Sequence, residues 1–210
     1  MKKLNIRTPI PSCASVPLCR SFTLGLALAL SLAGCHTPND TRTDDPYRPM
    51  SEENRNPVRA MELNEQGADL IQDNPVSAER VLRDALSEDL YCGPAHNNLG
   101  VVFLKQGKLY EAASEFEWAR KLMPGHPDPR TNLGMTLERA QHVDEAIAAY
   151  KSALEVVTED VGAMQALARA QVFYDKMDEA TGRLLKEIAM RGETEEWRTW
   201  ATEAIAGRKR

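Results

Sequence analysis

Between residues 60 and 194 the chain repeats itself every 34 positions, and no other feature limits its folding so tightly. Leu99-Gly100 recurs as Leu133-Gly134 and Leu167-Ala168, Ala112 as Ala146 and Ala180, Phe116 as Tyr150 and Leu184, and Ala119 as Ala153. A unit this short cannot bury an apolar face alone, so copies must stack and share a continuous core. Turn residues divide each unit in two. Gln106-Gly107-Lys108 and Asp73-Asn74-Pro75 fall within units, and Pro124-Gly125-His126-Pro127-Asp128-Pro129 ends one, because proline cannot continue a helix yet tolerates its first turn. Small Gly100, Gly134, Ala112 and Ala146 are expected where two antiparallel helices cross closely, with Phe103, Phe116, Leu137 and Tyr150 filling gaps between neighbouring hairpins.

Slot by slot, the pattern resembles the tetratricopeptide repeat (TPR) family. In the best copy His96, Leu99, Gly100, Phe103, Ala112, Phe116, Ala119 and Pro124 fill the family's Trp, Leu-Gly, Tyr, Ala, Phe, Ala and Pro positions, with His96 where Trp is commonest. The next keeps Leu133, Gly134, Leu137, Ala146, Tyr150 and Ala153, with Arg130 and Thr158 departing. A third keeps Leu167, Ala168, Ala180 and Leu184, with Gln171 and Glu187 departing. An upstream copy, with Leu63, Gly67, Leu70, Ala78, Leu82 and Ala85, is one residue short between its helices. The resemblance implies an all-α TPR solenoid of antiparallel helix pairs: a degenerate repeat at 58–92, repeats at 93–126 and 127–160, and a degenerate repeat at 161–194. A capping helix and basic tail are expected over 195–210, since Thr194-Glu195-Glu196-Trp197 starts a helix and Trp197, Trp200, Ala201, Ala204 and Ile205 share one face.

The N-terminus reads as an address. Lys2, Lys3, Arg7 and Arg20 precede an apolar run from Phe22 to Ala33, the order of an export signal and shorter than a bilayer span of about 20 residues. Leu32-Ala33-Gly34-Cys35 resembles the bacterial lipobox, which makes 1–34 a lipoprotein signal peptide and Cys35 the lipidated first residue. Two or three acyl chains anchor stably where one binds marginally. His36 after the cysteine, in place of Asp, implies passage to the outer membrane, facing the periplasm. Residues 35–57 join this anchor to the repeats, and from His36 onward are so poor in apolar side chains that a disordered tether is expected. Removing 1–34 leaves 22 basic and 31 acidic residues, a net of −9, which argues against nucleic acid as a partner. Cys92 then has no disulfide partner and is expected to be a small packing residue.

No nucleophile elbow, phosphate loop, HExxH or paired-acid motif occurs, so no enzyme activity, cofactor or metal is expected. His36, His96, His126 and His142 have no metal-ligand spacing, and Asp144-Glu145, Glu159-Asp160 and Asp178-Glu179 lie at helix starts, where the dipole favours acids. Binding has more support. In TPR arrays the first helix of each repeat lines a groove, which here implies Asn97, Asn98, Val101, Lys105, Asn132, Met135, Arg139 and Arg169. Asn98 and Asn132 are 34 apart, as are Lys105 and Arg139, and an amide can both donate to and accept from an extended peptide backbone. The one-residue shift turns Asn64 away from the Asn98 row, and Ala166 ends it. Lys105, Arg139 and Arg169 on one face of an acidic chain imply a peptide with an acidic segment or free C-terminal carboxylate, while Glu138 weakens that field locally. The plainer alternative leaves these polar residues merely solvated. By resemblance, the expected role is a membrane-anchored protein-interaction adaptor, with a pilotin-type assembly factor or a regulatory subunit of a cell-wall enzyme as rivals.

Overall fold

A computed structural model describes residues 51–207. Among these, a short 3-10 turn at Glu52–Asn54 leads into nine α-helices: α1 (Pro57–Leu70), α2 (Pro75–Glu88), α3 (Gly93–Gln106), α4 (Leu109–Leu122), α5 (Asp128–Arg139), α6 (Val143–Val156), α7 (Val161–Phe173), α8 (Glu179–Arg191) and α9 (Glu195–Ile205). The signal region, Cys35 and the tether as far as residue 50 lie outside the described residues. The last part of the expected tether is structured. Arg55 donates from Nε and Nη2 to the buried Asp89 carboxylate at 2.8 and 3.0 Å, the Asn56 N–H donates to Glu88 O at 2.8 Å, and the Arg55 guanidinium lies 4.8 Å from the Tyr91 ring centre. Burial works against the Asp89 charge, but Arg55 and the Tyr91 N–H hold its carboxyl below the ordinary value.

Consecutive helices pair as α1/α2, α3/α4, α5/α6 and α7/α8, and α9 packs on α8. Each second helix also touches the next first helix, and the first helices α1, α3, α5 and α7 touch in succession, which makes the array a TPR solenoid. Side chains set the starts. Asn56 and Asn74 accept the Arg59 and Ser77 N–H groups at 3.1 Å, with Pro57 and Pro75 in the following first turns. Asp160 accepts the Ala163 N–H at 2.7 Å, and Asp178 forms a reciprocal capping box with Thr181.

Turns inside the hairpins repeat as well. Gly107, Gln141 and Asp175, spaced 34 apart, all adopt left-handed backbone with φ of 76°, 66° and 57°. Each ends its helix with one recurring hydrogen bond to a carbonyl five residues back: Lys108 N to Phe103 O, His142 N to Leu137 O, and Lys176 N to Gln171 O. The α1–α2 turn has no such residue, which is where the first repeat's shorter spacing is absorbed.

The expected close crossings are there, with one difference. A Cβ on Gly100 would stand 2.7 Å from the Phe116 ring, and one on Gly134 would stand 2.5 Å from the Tyr150 ring. These rings therefore fill the interior of their own hairpins, not the gaps between neighbours, because only glycine lets an aromatic ring lie on the facing backbone. His96 explains its own departure from the family. It is fully buried, Nδ1 meets Glu115 Oε2 at 2.7 Å, Nε2 meets Leu90 O at 2.8 Å, and the ring stacks on Trp118 at 5.7 Å, so an indole arrives from α4. At the far end Trp197, Trp200 and Ala204 pack around buried Ala201, Leu185 and Ile188, while Ile205 stays 48 % exposed.

Candidate peptide groove

The candidate residues lie on the first helices, as their register dictates. Asn97, Asn98, Val101, Asn132 and Met135 are half-buried, and Lys105, Arg139 and Arg169 are exposed. The asparagines do not form a single row. Asn98 Nδ2 donates to Asn64 Oδ1 at 2.8 Å, and Asn132 Nδ2 donates to Asn97 Oδ1 at 3.0 Å. With the first repeat shifted by one residue, Asn64 corresponds to Asn97, so the two bridges are the same bridge one repeat apart. Asn64, which the one-residue shift takes out of the Asn98 row, is the buried acceptor of the first bridge. Each bridge spends one N–H of the donor amide and fixes its orientation, leaving its second N–H and its oxygen for a ligand.

Cations show a similar economy. Lys105 Nζ reaches Ile71 O at 3.5 Å and also bonds Gln72 Oε1, and Arg139 Nη1 donates to Leu104 O at 3.1 Å. Each therefore sits over the C-terminal end of the preceding first helix, where positive charge is favoured. Their acceptors are neutral, and among the described residues no carboxylate pairs with either. Arg169 is different. It donates to Glu138 Oε2 at 2.9 Å, so a neighbouring carboxylate offsets part of its charge, the local weakening expected of Glu138. Glu138 is 8 % exposed and also accepts the Tyr150 hydroxyl at 2.9 Å. Burial first, and then this carboxylate, push the Tyr150 phenol well above its ordinary value, so it donates at all physiological pH.

Met135, Arg139 and Arg169 converge. Together with Glu138, Gln141 and Tyr174 they line a pocket of about 340 Å³ between the ends of α5 and α7. Lys105 on α3 and the amide bridges, one between α1 and α3 and one between α3 and α5, lie outside it. The sequence contained the signal for Gln141 and Tyr174 only in their positions, Gln141 at the repeating turn residue and Tyr174 just before it. Cys92 is buried against Met61, with its sulfur 3.7 Å from the thioether sulfur, and burial raises its thiol above the ordinary value, which makes it a poor nucleophile. Among the described residues no group of three or more His, Cys, Asp or Glu is placed to hold a metal, and no helix is long and apolar enough to cross a membrane.

Residues 98–165 match the model of the tetratricopeptide repeat family. Solved structures extend the likeness to the fold of the array. The APC/C hetero-tetramer Cut9-Hcn1 superposes with a TM-score of 0.61 at 21 % identity over 70 % of this chain and 30 % of that one. The first TPR of Spaghetti (RPAP3), bound to the HSP90 peptide SRMEEVD, gives 0.55 at 19 % identity over 58 % and 98 % of the two chains. A tetratricopeptide repeat protein from Parabacteroides merdae gives 0.58 at 19 % identity over 71 % and 61 %. A search of curated protein sequences finds no match. What fold and repeats together define is an all-α solenoid of tetratricopeptide repeats.

Proposed function

We propose that this protein is a lipid-anchored adaptor of a bacterial envelope, tethered through Cys35, whose row of first helices binds an extended acidic peptide segment of another envelope protein. The observation that carries the groove reading is the convergence of Met135, Arg139 and Arg169 on one pocket, next to cations with neutral acceptors and pre-oriented amides. Arg139 holds the ligand carboxylate. A guanidinium offers a fork of donors, and one bond to Leu104 O leaves the rest of the fork available. Asn98 and Asn132 hold the peptide backbone. A TPR array of this fold with an HSP90 peptide bound is consistent with such a ligand. Anchoring rests on the basic residues, apolar run and Leu32-Ala33-Gly34-Cys35 alone.

In-cell photo-crosslinking from position 101 or 135, with position 117 on α4 as control, tests the groove. One dominant adduct that disappears in Asn98→Ala/Asn132→Ala supports it, and adducts from the control position alone refute it. Anchoring has its own test. Cys35→Ala should move the protein from the membrane to the soluble fraction, and unchanged fractionation would refute lipidation.

A further inference from the structure

In register, the row of cations on the first helices breaks at the fourth repeat. Lys105 and Arg139 are 34 residues apart at the ends of α3 and α5, and another 34 residues on, at the end of α7, stands Phe173. Both cations fold back onto the carbonyl end of the preceding first helix. A phenyl ring has no donor for that task, and Phe173 remains 74 % exposed. Its ring is nonetheless held in place, meeting Tyr174 edge-on at 4.8 Å between centres. Tyr174 lines the pocket that contains Arg139 and Arg169. Tyr174 thus borders the cationic pocket, and Phe173, at the position where periodicity would have put a third cation, stands behind it.

That border has a chemical preference. A peptide whose carboxylate rests on Arg139 and whose chain runs past Tyr174 lays a nearby residue along Phe173. A polar side chain there loses water and gains no hydrogen bond, whereas an aliphatic or aromatic one gains burial against both rings. We infer that Phe173, backed by Tyr174, is a specificity-determining residue that selects a peptide carrying a large apolar side chain within a few residues of the carboxylate bound at Arg139. This rests on the groove reading above and narrows its ligand from an acidic peptide to an acidic peptide with one apolar anchor. The occupant follows from charge and apolar area lying side by side: Arg139, whose acceptor is neutral, supplies the charge, and the exposed ring supplies the area.

The test uses the full chain and fluorescein-labelled hexapeptides ending in Glu-Asp with a free carboxylate. The parent carries serine at the other positions, leucine is scanned through them one at a time, and an amidated parent serves as the carboxylate control. Fluorescence anisotropy should show one leucine position binding about tenfold tighter than the parent, the gain expected from partly burying one such side chain. Phe173→Ser should abolish that advantage and leave parent binding within about twofold. Phe173→Lys, which restores the cation row, should reverse the preference from leucine to glutamate at that position. Phe173 is exposed and belongs to no buried cluster, so both variants keep the fold. If leucine and serine peptides bind wild type alike and both are lost with Arg139→Ala, the carboxylate pocket stands and selection by Phe173 is refuted. If acid and amide bind alike, the groove reading fails and takes this one with it.

Discussion

The second and fourth repeats close the same hairpin with different chemistry. In the second, Gly100 lets the Phe116 ring lie on the α3 backbone, and both are buried. In the fourth, Ala168 replaces the glycine and Leu184 the ring, and Leu184 is only half-buried. There α8 turns Leu185 and Ile188 toward Trp197, Trp200 and Ala201 of the cap, and a cleft of about 530 Å³ floored by Leu167 and Gln171 stays open between α6 and α8. Met164 and Ala168 of α7 still pack on Leu185 and Ile188 of α8, and polar bonds add to that contact. The Thr181 hydroxyl donates to Gln171 Oε1 at 3.0 Å and accepts the Asp178 N–H at 2.8 Å, and Lys151 Nζ from α6 donates to Asp178 Oδ2 at 2.8 Å. A glycine under a large buried side chain, Phe116 or Tyr150 in the middle repeats and Leu82 in the first, is therefore what brings the two helices of a hairpin close. Where it is missing, hydrogen bonds and the capping helix add to a thinner apolar contact.

The largest effect should come from removing the ring itself. Phe116→Ala empties a fully buried site and should cost about 3–5 kcal/mol in urea denaturation, whereas Leu184→Ala, at a half-buried site, should cost about 1 kcal/mol. Equal losses would break the comparison. Next come the small residues opposite. Gly134→Ala pushes a methyl to 2.5 Å from the Tyr150 ring and should cost about 1–3 kcal/mol by overpacking. Ala168→Gly removes a buried methyl where no ring presses, and should cost about 1 kcal/mol through helix propensity. If Gly134→Ala were neutral in thermal melts, the glycine would not be needed for the contact.

Polar closure of the fourth repeat predicts a pH signature. The hydrogen bond from Lys151 chiefly, with those from Thr181, holds the Asp178 carboxyl far below its ordinary value against a weaker burial effect. A carboxyl depressed on folding contributes stability above its unfolded value, near ~3.9, and loses it as pH falls through the folded value. Wild type should therefore exceed Asp178→Asn by about 1 kcal/mol or less at pH 7, since the pair is partly exposed. That margin should shrink below about pH 4. A margin independent of pH between 2 and 7 would show that the amide caps α8 as well as the carboxylate does.

Much of this was legible in the sequence, for a physical reason. A 34-residue period is enforced by stacking, so the helix pairs, the small residues at the crossings and the row of first-helix positions all follow from counting. Counting does not show which neighbours a polar side chain finds. The diagonal bridges Asn98–Asn64 and Asn132–Asn97 repeat only once the first repeat's one-residue shift is allowed for, and Arg169 meets Glu138 across two first helices, so counting alone pairs none of them. Phe173 was missed because it departs from the row; the useful signal was the break in the period and not the period itself.

The smallest effect returns to the turns. Gly107, Gln141 and Asp175 share one left-handed position, but only glycine takes it without a Cβ clash worth about 1–2 kcal/mol. Against this, glycine loses more freedom on folding, by roughly 0.5–1 kcal/mol. Gln141→Gly should accordingly stabilise by about 0.5 kcal/mol, and Gly107→Gln should destabilise by a similar amount. Gln141 also lines the pocket with Arg139 and Arg169, so the same variant separates two reasons for a glutamine there. A stability gain with unchanged binding of the acidic hexapeptides means the strain is tolerated because it is cheap at an exposed turn. A stability gain with weakened binding means the amide serves the ligand, and the backbone strain is kept for function. A loss of stability would show that the three turns are equivalent in backbone angle but not in energy.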